Sequence, residues 1–188
     1  MKLPFSGNFR HSLFHPVGPA AAVLSLLCLM AVAFWSQAPA PGYTRLEIAE
    51  AETGRQIFSS LLRDGDEAVM KWRNSLFGLD VTEVFQAREG CLVLDRVTFA
   101  DPGGTPPPEV APSDVDDLYQ TGGPFTAGGL GRSFSRVVCR VAEIGNPTMR
   151  IRDHTVNFKS EVGFGGGVIL TAAAPTRFEV FKNLLRNI

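Results

Sequence analysis

Acidic side chains are missing from the first 35 residues, which carry Lys2 and Arg10 as their only formal bases. With two of the 18 bases and none of the 19 acids placed there, the rest of the chain has a net charge of −3 and the whole chain −1. Neither part shows a basic excess or stripe, so no nucleic-acid partner is expected. Histidine is almost absent from the remainder: only His154 is left, with Asp153 beside it. No Gly-x-Ser-x-Gly turn presents a serine nucleophile. Neighbours in a strand point to opposite faces, so Asp153 is not expected to orient His154 for catalysis.

Cysteine is limited to Cys28, Cys91 and Cys139. Two cysteines and one histidine so widely spaced form no metal-ligand set. The glycine-rich stretch from Gly122 to Gly131 lacks both the Gly-Lys-Ser/Thr ending of a Walker loop and the Gly-x-Gly-x-x-Gly fingerprint, and Gly163 to Gly167 fails the same test. Both stretches are read as loops whose glycines supply positive φ. Asp114, Asp116 and Asp117 do not complete a calcium loop. They suit the start of a short helix capped by Ser113. No cofactor or metal is expected.

Pro19 to Trp35 is uncharged and apolar, interrupted only by Ser25. It is just long enough for a transmembrane helix. The bases before it place the N-terminus, residues 1–18, in the cytoplasm and everything after it on the far side. The sequence therefore reads as an inner-membrane anchor at 19–35, a stiff Pro/Ala linker at 36–42 and a periplasmic domain at 43–188. A cleaved secretory signal is the competing reading, because Ala31-Val32-Ala33 has the small-x-small form a signal peptidase accepts.

Beyond the linker, short runs rich in Val, Leu, Phe and Thr recur about every ten residues, separated by turn residues. Runs at 43–49, 56–62, 67–74, 81–87 and 91–100 read as strands, with Asp64-Gly65 and Glu89-Gly90 as turns. Residues 101–112 hold five of the 13 prolines and read as irregular. Further strands are expected at 133–144, 148–158 and 168–173. The spacing of Phe178, Phe181, Leu184, Leu185 and Ile188 then predicts an amphipathic C-terminal helix covering the sheet. The fold class expected is mainly β: one antiparallel sandwich-like or barrel-like domain, with an N-terminal transmembrane helix and a short C-terminal helix.

Cys91 and Cys139 both fall in apolar, strand-like runs. They read either as small buried hydrophobes or, in an oxidising compartment, as a disulfide. Trp72, Asn74, Ser75 and Glu83 fall on two adjacent predicted strands. If those strands pair, the four share one neighbourhood and form a candidate ligand site.

The segment Trp72-Arg73-Asn74-Ser75-Leu76, then Glu83, then Glu89-Gly90-Cys91-Leu92-Val93-Leu94 and Pro102-Gly103-Gly104-Thr105-Pro106 resembles domain of unknown function family 1850. The resemblance runs from Gly65 to about Ile151. Asn74 stands where that family usually has histidine. The resemblance implies a non-enzymatic, membrane-anchored extracytoplasmic accessory of TRAP transporters of the TAXI type, which take up small organic anions. The permease or the solute-binding protein would be the partner. The alternative is a small-ligand binding module built on the Trp72, Asn74, Ser75 and Glu83 region.

Overall fold

The computed structural model describes residues 19–186, with side chains from residue 23 onward. The expected cytoplasmic segment 1–18 and Ile188 lie outside the described residues. The chain divides into two units, 1–37 and 38–188. The first contains helix α1, Pro19–Gln37, which carries no acid in its first turn and no base in its last. Its large apolar side chains from Val23 to Trp35 are exposed. Among the described residues no helix is long and apolar enough to cross a membrane; the first four side chains of α1 lie outside them.

The second unit is two antiparallel sheets. One holds β1 (Tyr43–Glu50), β2 (Gln56–Arg63), β7 (Arg136–Arg140) and β10 (Gly167–Ala173) in the order β2-β1-β10-β7. The other holds β3 (Glu67–Asn74), β4 (Leu79–Arg88), β5 (Cys91–Ala100), β6 (Phe125–Phe134), β8 (Thr148–Ile151) and β9 (His154–Asn157) in the order β6-β5-β4-β3-β8-β9. Period-2 alternation places Leu46 and Ile48 of β1 and Val168 and Leu170 of β10 in the same core as Met70, Phe85, Leu92 and Met149 of the larger sheet. The sheets thus face one another as in a sandwich.

The smaller sheet leaves one end of the larger one uncovered. There a second core of Leu79, Val81, Val97, Phe99 and Phe125 is capped by Val115, Leu118 and Tyr119. Val115, Leu118 and Tyr119 belong to α2 (Val115–Thr121), which follows a 3₁₀ turn at Pro112–Asp114. Phe99 and Phe125 are each 1% exposed, and each contributes about 1.5–3 kcal/mol by burial.

The turns obey local chemistry. Glu89 and Gly90 have φ of 48° and 77°, the double positive φ of the favoured two-residue hairpin loop. A Cβ at Gly90 would lie 2.5 Å from the backbone nitrogen of Ala174, so only glycine fits.

Three expectations need correction. Residues 125–132, read as loop, join 133–134 to form β6, paired with β5 from Leu92↔Phe134 to Phe99↔Phe125. Its glycines serve an irregularity opposite Leu94–Arg96, where Gly129 and Gly131 take φ of 70° and 63°. Residues 148–158, read as one strand, are the hairpin β8–β9 followed by α3 (Phe158–Val162). Arg152 makes the reversal with a φ of 53°. The predicted strand 133–144 shrinks to β7, because a bend at Ser135 separates it from β6 and carries the chain from one sheet to the other.

The C-terminal helix is α4, Arg177–Arg186. Residues 38–40 do not form a free spacer. Ala40 N–H donates to Pro175 O at 2.8 Å, and Arg177 N–H donates to Ala38 O at 3.0 Å.

Candidate functional site

Glu83 belongs to the inward-facing series of β4, Leu79, Val81, Glu83, Phe85 and Ala87, whose other members are almost fully buried. Across β3 its register partner is Met70, and across β5 it is Val97. Met70, Trp72 and Asn74 share the inward face of β3 by the same alternation. A carboxylate is therefore set among apolar neighbours, at the seam between the two cores. Trp72 bridges that seam and packs against both.

Two donors meet the carboxylate. Tyr119 Oη–H of α2 donates to Oε1 at 3.2 Å, and Trp72 Nε1–H donates to Oε2 at 3.4 Å. Tyr119 is itself held by Phe99, whose ring lies edge-on at 5.0 Å. Burial pushes the Glu83 carboxyl above its usual range, against the lowering effect of its Tyr119 and Trp72 hydrogen bonds. The Tyr119 phenol is raised by burial and by the charge of Glu83. Cys139, on β7 of the opposite sheet, is pushed up to about 11 by burial and then by Glu83. Its thiol is 3.8 Å from Met70 Sδ.

These groups line a cavity of about 530 Å³, within the roughly 300–1,000 Å³ of small-molecule sites. Its walls include Met70, Trp72, Asn74, Ser75, Glu83, Val137, Cys139 and Pro147. The structure thus brings all four sequence-derived candidates, Trp72, Asn74, Ser75 and Glu83, to one place. Their roles differ. Asn74 Oδ1 accepts from Leu76 N–H at 3.0 Å and Phe77 N–H at 3.3 Å, so it shapes the β3–β4 turn that forms one wall. Ser75 lies exposed at the mouth. Trp72 and Glu83 form the polar floor.

Sequence reasoning missed Tyr119, Met70 and Cys139. Met70 had a readable signal, since it shares parity with Trp72. Tyr119 and Cys139 arrive from distant elements and had none.

Arg73 and Arg140 also border the cavity, yet alternation sends their side chains outward. Arg73 Nη1 pairs with Asp80 at 3.4 Å across the outer face of the larger sheet. Arg140 is exposed between the inward-facing Cys139 and Val141. Glu83 is therefore the one inward-facing charged group among the described cavity residues.

The other candidates do not join this site. Cys91 and Cys139 are both unpaired, and they sit in different sheets. His154 Nε2 lies 3.6 Å from Asp153 Oδ1 with both side chains exposed. Asp153 can approach because it occupies the β8–β9 turn rather than a strand. Asp116 pairs with Arg132 at 2.8 Å. Ser113 makes no capping bond: the N-cap of α2 is Asp114, without a side-chain cap. Among the described residues no cluster of His, Cys, Asp and Glu can hold a metal. No family model, curated protein or solved structure matches the chain.

Proposed function

We propose that this chain is a membrane-tethered, non-enzymatic binding protein whose extracytoplasmic domain takes a small ligand in the cavity floored by Trp72 and Glu83. The observation that carries the reading is the placement of one partly satisfied carboxylate in an otherwise apolar cavity. Trp72 and Tyr119 occupy one acceptor site on each Glu83 oxygen, and a carboxylate offers about four. The remaining sites suit a ligand N–H or O–H, while Met70, Val137 and Pro147 suit an apolar body. With its cations directed outward, the cavity fits a neutral or cationic donor better than an organic anion. The binding reading is supported by Cys139, which burial keeps a protonated thiol and a poor nucleophile near neutrality.

The test is calorimetric titration of the detergent-solubilised full chain with matched butylammonium, butanol and butanoate. Saturable heat with butylammonium or butanol is the expected result. Silence with all three counts against the cavity as a ligand site, and butanoate alone binding counts against the donor assignment.

The second reading is the transporter accessory implied by the resemblance to family 1850, with α1 anchoring the protein in the inner membrane. Its structural support is an apolar rim at the cavity mouth. Leu76 is 86% exposed and Val138 56%. Val138 lies on β7, which among the described residues has no strand on its other side. Open strand edges accept extended partner segments. Co-purification of a TAXI-type permease or its solute-binding protein in mild detergent is the expected result; repeated recovery of neither sinks this reading.

A further inference from the structure

Helix α4 presents its polar side to its own domain. Glu179, Asn183 and Arg186 line a groove with Arg45 of β1 and Ile57, Ser59 and Leu61 of β2. Glu179 forms an ion pair with Arg45. It also closes a capping box: Thr176 N–H donates to Glu179 Oε2 at 2.7 Å, and Glu179 N–H donates to Thr176 Oγ1 at 3.2 Å. Val180 is the only buried residue of the helix. Phe178, Phe181 and Leu185 recur at i, i+3 and i+7, which puts them on one stripe. With Leu184 they are 53%, 58%, 57% and 48% exposed. An ordinary amphipathic helix on a sheet does the reverse.

The start of α4 is fixed to the chain just after α1. Arg177 N–H donates to Ala38 O, and Pro39 and Thr176 form a bridge. Ala38 follows Gln37, the last residue of α1, by a single Cα step of about 3.8 Å. The helix carries the bases Arg177, Lys182 and Arg186 and the one acid Glu179; Glu179 and Arg186 lie on the groove side, and Lys182 is exposed beside the apolar stripe.

We propose that α4 is a membrane-surface helix, with Phe178, Phe181, Leu184 and Leu185 entering the headgroup boundary of the bilayer that holds α1 and with Lys182, exposed beside that stripe, meeting anionic lipid. The inference rests on the reading of α1 as an anchor. Three observations select a bilayer over a protein partner: the stripe faces away from the domain, its flanking charge is basic, and its first residue is bonded to the one that leaves α1. Aromatic and leucine residues with flanking Lys and Arg are the composition of interfacial helices. Ten residues bind a bilayer weakly alone, but the tether raises the local lipid concentration.

The test uses full-length protein in vesicles of phosphatidylcholine and phosphatidylglycerol, with and without brominated acyl chains. The chain has two tryptophans, Trp35 and Trp72. Trp72→Phe leaves Trp35 as the reporter of α1. Trp35→Phe with Trp72→Phe and Phe181→Trp places the only indole on α4, and Leu185→Trp in the same background is a second probe. Brominated lipid is expected to quench the α4 probes to an extent comparable with Trp35. Quenching of Trp35 with both α4 probes unquenched overturns the surface-helix proposal and leaves the anchor standing. If Trp35 is unquenched as well, the anchor reading fails with it. Blue-shifted but unquenched α4 probes would mean the stripe is covered by protein, which also overturns the proposal.

Discussion

Glu83 receives a hydrogen bond from Trp72 Nε1 at 3.4 Å although the two residues are not register partners. Trp72 sits opposite Val81, and Glu83 opposite Met70. The diagonal places the indole N–H beside a carboxylate that faces the core, and burial there makes Glu83 a pH-sensitive element of the domain despite that hydrogen bond. Burial raises its carboxyl above the ordinary 4.5 of a glutamate, so the folded state holds its proton more tightly than the unfolded chain. Stability tied to this group is therefore complete below pH 4.5 and falls as pH rises through the higher folded value. Asp66 and Glu179, both lowered, act in the opposite direction at lower pH. Thermal melts of Glu83→Gln and the parent at pH 5 and 7 check this. The parent should lose stability between the two values, and the variant should lose less.

Thr44 is fully buried, and its Oγ1 accepts from Gly90 N–H at 3.0 Å. Thr44→Val keeps the shape and strands that buried N–H. A loss of about 1–3 kcal/mol is expected, measurable by urea unfolding. Gly90→Ala should cost more, because the added Cβ collides with backbone that cannot rotate away.

Asn74 supports the cavity wall through two backbone N–H groups. Asn74→Ala should destabilise by about 1 kcal/mol and weaken ligand binding, while Asn74→Asp, which keeps the acceptor oxygen, should retain most of both. Equal damage from the two substitutions would remove the turn-shaping role.

Cys91 and Cys139 should remain separate thiols. Intact mass under non-reducing conditions should show no loss of two hydrogen atoms. With a pKa of about 11, Cys139 exposes roughly one part in a thousand as thiolate at pH 8. It should therefore alkylate with iodoacetamide far more slowly than an unfolded control.

Much of the fold was legible because β1 to β5 alternate cleanly and are separated by Asp-Gly and Glu-Gly turns. The failures have physical causes. Gly128, Gly129 and Gly131 made β6 resemble a loop, since composition does not reveal that β5 supplies its missing pairing. The reversal at Arg152 and Asp153 contains neither glycine nor proline, so 148–158 read as continuous. The periodicity of Phe178, Phe181 and Leu185 correctly implied a helix with an apolar stripe, but periodicity does not say which side meets the sheet. At the site, Trp72 and Glu83 were readable because a hairpin ties parity on β3 to parity on β4. Tyr119 lies 36 residues from Glu83, and its approach depends on α2 folding back over the second core. Cys139 depends on the crossing between sheets at Ser135. Neither leaves a local trace.

The central claim is that the cavity at Trp72 and Glu83 binds a small donor ligand, and Trp72 is itself the reporter. In full-length Trp35→Phe protein the only indole is the one that donates to Glu83. Its fluorescence should change saturably on titration with butylammonium, with the response lost in Glu83→Gln and absent with butanoate. A flat signal into the millimolar range, or an identical response in Glu83→Gln, would contradict the account.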